Sequence, residues 1–222
     1  MNLSVRPLPP LAALIFDMDG LLVDSEPHWF DVERAFAAER GGAWTEAHAH
    51  ACVGRGLPAT LAWMRDALGF VIDVERDSAA IIDAFIASVD RLELKPGSRA
   101  LLDAATGALP FAVASSSPLR LIEATLRRFD LLHRFDAVVS GDMVARAKPA
   151  PDIFLLAADR LAAPPARCAV LEDSLAGATA GRAAGMFVIA VPEGPAAGRG
   201  YEAVADAIVP SLVEARALLA LG

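Results

Sequence analysis

With 222 residues, 55% of them hydrophobic, and a mean hydropathy of +0.43, the chain can bury a full core, as one domain or two small ones, and is too apolar to be disordered. No apolar run approaches the ~18 residues that cross a bilayer. A formal net charge of −8 argues against nucleic acid or an anionic membrane as partner. An anionic substrate would therefore need a local cationic site, made from a metal and a placed Lys or Arg.

The first ten residues carry one arginine and three prolines and do not read as a secretory signal, so the expected location is the cytoplasm. Leu11 to Phe16 is then an unbroken apolar run, the pattern of a central strand in a parallel sheet covered on both faces. It ends in Asp17-Met18-Asp19-Gly20. Ligands of such sheets bind beyond the carboxyl ends of the strands, and residues i and i+2 of an extended segment face the same side. Asp17 and Asp19 can thus share one pocket, where their like charges call for a cation, a shared proton, or both. Gly20 permits the turn and leaves backbone N–H groups open to an anion. The plain alternative is an Asp pair that only caps a turn.

From Glu26 to Arg40 the texture turns helical, with Trp29, Val32, Glu33, Phe36 and Ala37 at spacings of three and four, stopped by Gly41-Gly42. Helical runs follow at Thr45–Cys52, Pro58–Leu68 and Arg76–Leu92, without a strand between them. Lys95-Pro96-Gly97 closes this helical insert as a hinge. Its tryptophans, Trp29, Trp44 and Trp63, suit a small core, and His48 and His50 face apart on a helix and suit a solvated surface. Cys52 and Cys168 match no metal or redox spacing and read as packed thiols.

Beyond the hinge, short apolar runs at Phe111–Ser115, Ala137–Ser140, Cys168–Leu171 and Met186–Val191 alternate with helices at Ser98–Thr106, Pro118–Phe129, Asp152–Leu161 and Ser174–Ala184. That alternation predicts a right-handed parallel α/β sheet. Ser117-Pro118 reads as a helix cap with proline at the first helical position, Gly185 as a helix stop, and Ser211–Leu221 as the closing helix. Three features complement the first Asp pair: the hydroxyls Ser115-Ser116-Ser117, the loop lysine of Lys148-Pro149, and the second acidic pair Glu172-Asp173. Two acidic strand ends can hold a hard cation such as Mg²⁺ beside a substrate phosphate. A hydroxyl and an ammonium can hold the remaining phosphate oxygens.

In order and spacing, Asp17-Met18-Asp19-Gly20, Ser115, Lys148-Pro149 and Glu172-Asp173 resemble the four motifs of the haloacid dehalogenase-like (HAD) phosphohydrolases. The longer strings DMDGLLVDSEP, ASSSP, KPAPDIF and LEDSLAGATAGRAAGM are similar to the branch of sugar phosphatases and β-phosphoglucomutase, most of all to the 2-deoxyglucose-6-phosphate and hexitol phosphatases. The resemblance implies a Rossmann-like α/β core, residues 1–24 and 96–222, with an inserted helical cap domain, residues 25–95. It implies a Mg²⁺-dependent phosphatase acting on a small phosphorylated substrate, with monomer the expected state. By the same resemblance Asp17 is the nucleophile that forms an aspartyl-phosphate, and Asp19 the acid for the leaving alcohol and then the base for water. Asp17, Asp19, Glu172 and Asp173 serve the metal, and Ser115 and Lys148 hold the phosphoryl group, with Ser116 beside them. In the cap, Trp29 stands where the mutase relatives carry a histidine, and Arg55 lies in a loop that resembles the specificity loop. His28 is a further polar candidate there. The rival readings are a phosphosugar mutase, a slowly turning phosphoacceptor switch, and a binding module without catalysis.

Overall fold

The structure is a computed structural model, and it describes residues 7–52, 56–193 and 200–221. In chain order the elements are β1 (Ala13–Phe16), β2 (Val23–Asp24), α1 (Glu26–Glu39), α2 (Glu46–Cys52), α3 (Leu57–Leu68), α4 (Val74–Ala87), β3 (Glu93–Leu94), α5 (Ser98–Ala105), β4 (Phe111–Ser115), α6 (Leu119–Arg128), β5 (Ala137–Ser140), α7 (Asp152–Arg160), β6 (Cys168–Glu172), α8 (Leu175–Ala183), β7 (Phe187–Ala190), β8 (Ala207–Ile208) and α9 (Leu212–Leu218).

Six strands form a parallel sheet in the order β5-β4-β1-β6-β7-β8. The chain builds outward from β1 to one side, then returns and builds outward to the other. The strand order therefore reverses beside β1, which is where α/β sheets open a binding crevice. In register, Phe16 lies between Val113 of β4 and Leu171 of β6. The residues just beyond these partners, Asp17, Ser115 and Glu172, consequently meet at one end of the sheet.

The absence of alternation in β1 has its cause in two cores. Leu14 and Phe16 enter the core shared with α5, α6 and α9, whereas Ala13 and Ile15 enter the one shared with α7 and the end of α8. The second face is rich in alanine, with Ala112, Ala114 and Ala137 fully or nearly fully buried, and α8 brings Gly181 close to Val170 and Val188. Small side chains set the helices close to the strands, so packing is by contact area rather than by large side chains.

Helices α1 to α4 lie between the two strands of a short antiparallel ribbon, in which Val23 pairs with Leu94 and Asp24 with Glu93. Phe85 of α4 is fully buried against His28 and Trp29 of α1, with ring centroids 4.5 and 4.4 Å away. Burying such a ring is worth about 1.5–3 kcal/mol. Trp44 and Trp63 meet edge to face at 5.7 Å and build core as expected, whereas His48, expected on a solvated surface, is half-buried against both rings. Among the described residues, no helix is long and apolar enough to cross a membrane.

Several boundaries differ from the sequence expectations. The ribbon β2/β3 and strand β8 are two residues each, too short to leave a hydrophobic period. The helix expected from Arg76 starts at Val74, because Asp73 caps it by accepting from Arg76 N at 3.0 Å, and it ends at Ala87. The expected cap at Ser117-Pro118 does not form: Pro118 precedes α6, and the Ser117 hydroxyl points elsewhere. Gly185 follows α8 with φ +74°, the left-handed stop that its position suggests.

Candidate active site

Asp17 and Asp19 leave the tip of β1 with different surroundings. Asp17 is held by Lys148, whose Nζ lies 2.5 Å from Asp17 Oδ1, 2.6 Å from Glu172 Oε1 and 3.1 Å from the Ala114 carbonyl. The ammonium also rests 4.8 Å from the centre of the Phe154 ring. All three charged side chains are less than 10% exposed. Removing one member of such a buried pair leaves an uncompensated charge and costs about 3–5 kcal/mol.

Glu172 is fixed on its other side as well, with Oε2 accepting from Ser174 N and Ser174 Oγ, both at 2.9 Å. Ser174 in turn caps α8. Gly177, in the first turn of that helix, is where the Glu172 carboxyl finds room.

Asp19 is surrounded by hydroxyls. Its Oδ2 accepts from Ser115 Oγ at 3.0 Å and Ser117 Oγ at 2.8 Å, and its Oδ1 from Ser25 Oγ at 2.8 Å, with a longer contact of 3.4 Å from Trp29 Nε1. Ser115 itself accepts from Ser117 N at 3.0 Å. Ser117 thus belongs to the site and does not cap α6, a correction to the sequence reading. Ser25 enters unannounced, since a serine one residue before a helix reads first as its cap.

The electrostatics of the site are unbalanced toward negative charge. Burial foremost pushes the Asp17 carboxyl up to about 8, with Glu172 and Asp19 adding and Lys148 opposing. Asp173 is raised well above the carboxylate range by burial and by the charges of Glu172 and Asp17. Burial alone would lower Lys148, but Asp17 and Glu172 hold it above its ordinary value. One ammonium does not neutralise this group of acids. Asp173 lies directly against Gly20, where a Cβ would stand 2.3 Å from its Oδ2, and its backbone carbonyl accepts from the Tyr201 hydroxyl at 2.5 Å.

Among the described residues no three acidic, histidine or cysteine side chains close on one point as a ready-made cage. Glu172 has both oxygens engaged, and Asp17 and Asp173 remain as two neighbouring carboxylates with excess charge. Few protein carboxylates, completed by water and a substrate phosphate, is the usual arrangement for Mg²⁺. The donor set fits that ion.

Helices α1 to α4 and the sheet's end line a half-open cavity of about 1370 Å³. Asp17, Asp19, Ser115, Ser116, Lys148, Glu172 and Asp173 line one side, and Trp29, Phe30, Glu33, Thr60 and Ile82 the other. Trp29 therefore stands in the site and not only in the core. His28 does not reach it: it is buried edge-on to Phe85, with Nε2 3.4 Å from Phe85 O and 3.1 Å from Ser88 Oγ. Burial lowers its pKa below the usual histidine value. Arg55 lies outside the described residues. Gly177 and Glu33 escaped the sequence reading, although a glutamate within the apolar stripe of α1 was a visible signal.

A family profile described as haloacid dehalogenase-like hydrolase matches residues 11–185. Hexitol phosphatase B of Escherichia coli K12 is 34% identical over 226 residues, covering 96% of this chain and 97% of that protein. A bifunctional riboflavin kinase/FMN phosphatase of Arabidopsis thaliana is 31% identical over 92% of this chain, which spans about half of its length, 54%. Among solved structures, CbbY from Rhodobacter sphaeroides in complex with phosphate superposes with a TM-score of 0.83 at 29% identity, over 92% of this chain and 96% of that one.

Proposed function

This chain belongs to the haloacid dehalogenase-like hydrolases and is a phosphatase, and from that premise we propose that it hydrolyses a hexose or hexitol phosphate through a phosphorylated Asp17, with Mg²⁺ as cofactor. The observation that carries the proposal is the unlike treatment of the two aspartates. Asp17 is fixed by an ammonium at the sheet's end, while Asp19 sits among hydroxyl groups on the side facing α1.

In this reading an oxygen of Asp17 attacks phosphorus as the bond to the alcohol oxygen breaks, and Asp19 supplies the proton that the leaving alkoxide needs. Asp19, now a carboxylate, takes a proton from water, whose oxygen attacks the same phosphorus and restores Asp17. Positioned proton transfer of this kind contributes roughly 10²–10⁴-fold. Lys148 offsets charge on the phosphoryl oxygens, and Glu172 orients Lys148. Ser115 donates to a phosphoryl oxygen once Asp19 turns toward substrate, with Ser116 lining the same space. Asp17 and Asp173 would hold Mg²⁺, with the Asp19 backbone carbonyl beside them and Glu172 acting through water; when bound, the ion supplies charge neutralisation for the transferring group.

We also propose the division into a core of residues 1–24 and 96–222 and a cap of residues 25–95, which closes over the site and excludes water. Its closure over the cavity would favour small substrates over polymers. A cytoplasmic location and a monomeric state complete the reading.

The experiment is a phosphate-release panel of sugar phosphates, nucleotides and phosphopeptides with and without Mg²⁺, with products identified. Release of inorganic phosphate from C6-phosphorylated hexoses or hexitols at the highest kcat/KM supports the proposal. An isomeric sugar phosphate as the main product would assign a mutase, and a lasting phospho-Asp17 without turnover would assign a switch.

A further inference from the structure

We propose that Glu33 determines specificity by accepting hydrogen bonds from the hydroxyl groups of the substrate's uncharged end, an inference that rests on the sugar-phosphate reading above. Helix α1 places it. Trp29 reaches Asp19 at 3.4 Å, and Glu33, four residues on, lies on the same face about 6 Å farther along the axis. Glu33 is thus set one helical turn beyond the residue that touches the acid, away from the phosphate end of the cavity.

The state of the side chain points the same way. Glu33 is 8% exposed, and what exposure it has faces the cavity. Oε2 accepts from Trp44 Nε1 at 2.9 Å. Oε1 has no partner among the described residues. Burial pushes the carboxyl up to about 7 against the pull of the Trp44 hydrogen bond. If holding Trp44 were its whole task, an amide or a backbone carbonyl would do as well. A free carboxylate oxygen, fixed in direction by the indole, is suited to a hydroxyl donor.

The lining chooses among substrates further. Helices α1 to α4 contribute Glu26, Glu33, Glu46 and Glu75 to the cavity, while Lys95 and Arg120 line it from outside these helices. Beside Glu33 itself a second phosphate or a carboxylate would meet repulsion, while a hydroxyl would not. The position facing Glu33 therefore suits a hydroxyl rather than a second anion.

The test compares wild type, Glu33→Gln and Glu33→Asp on a hexitol 6-phosphate, a hexose 1,6-bisphosphate and p-nitrophenyl phosphate. In Glu33→Gln the amide oxygen can keep the Trp44 bond, which turns donors toward the cavity in place of an acceptor. The ratio of kcat/KM for hexitol phosphate to that for the aryl phosphate should fall at least tenfold in Glu33→Gln, mainly through KM. It should fall also in Glu33→Asp, whose shorter stem withdraws the oxygen, and this variant decides the matter if Glu33→Gln does not fold. Wild type should prefer the monophosphate to the bisphosphate. An unchanged ratio, with both substrates lost equally, would overturn the role of Glu33 while leaving the sugar-phosphate reading intact. A wild-type enzyme without preference for hexitol phosphate over the aryl phosphate would overturn both.

Discussion

Gly177 gives the Glu172 carboxyl its place: a Cβ at position 177 would stand 1.7 Å from Glu172 Oε1, the oxygen that holds Lys148. Alanine normally stabilises a helix interior by about 1 kcal/mol over glycine. Here it must push Glu172 aside, and Lys148 loses one of its two carboxylate anchors. Gly177→Ala should lower kcat tenfold or more with a smaller change in KM, as steady-state kinetics will read. Full activity in this variant would remove Glu172 from the argument.

The two aspartates should fail differently. Asp17→Asn is expected to abolish turnover and any acid-stable trapping of phosphate on the protein. Asp19→Asn should slow both chemical steps by roughly 10²–10⁴-fold and still bind substrate. Rapid-quench labelling separates them, and near-normal turnover in Asp17→Asn would show that the nucleophile lies elsewhere.

Metal removal is the third prediction. Chelator should abolish phosphate release and Mg²⁺ restore it. Ca²⁺ should inhibit, because its larger and looser oxygen shell misplaces Asp17. Isothermal titration of Mg²⁺ into wild type and Asp173→Asn provides a readout apart from activity. Equal affinity in the two proteins would dissociate Asp173 from the ion.

Glu33 predicts a pH dependence of stability. Its folded value of about 7 exceeds the ordinary 4.5, so the folded state binds more protons than the unfolded state between these values. The group's contribution is whole below about 4.5 and is lost as pH rises through about 7. The loss is at most a few kcal/mol. Urea denaturation of wild type and Glu33→Gln at pH 5 and pH 8 should show wild type losing ground to the variant at the higher pH. A stability difference independent of pH would contradict this.

Much of the architecture was legible because hydrophobic period and strand-end chemistry are local signals. Leu14–Phe16 followed by Asp17 announces a central strand and its tip. Lys148 and Glu172 are equally visible as types, but their mutual ion pair depends on how the loop between β5 and α7 reaches the tip of β6, which no local pattern carries. Ser117 misled for a related reason. A serine before Pro-Leu has a short-range use as a cap, and only the fold reveals that Asp19, 98 residues away, takes its hydroxyl instead. His28 and Trp29 are neighbours in sequence, yet the helical turn sends one into the core and the other to the site.

Asp24, Lys95 and Glu193 meet where the ribbon β2/β3 joins the sheet, with Lys95 Nζ 3.2 Å from Asp24 and 2.6 Å from Glu193. Lys95 N and Ser98 Oγ both bond to the Leu22 carbonyl, at 3.0 and 2.8 Å. The two ends of the helical segment are thus clamped side by side, as the two ends of a hairpin loop are. Closing a loop costs free energy that grows only with the logarithm of its length, so the sheet is almost indifferent to what hangs from this gateway. Strand β1 can keep its register with β4 and β6 whether the segment is long, short or of other helices. The helical segment can accordingly be exchanged or resized without moving the strand tips that bring Asp17, Ser115 and Glu172 together.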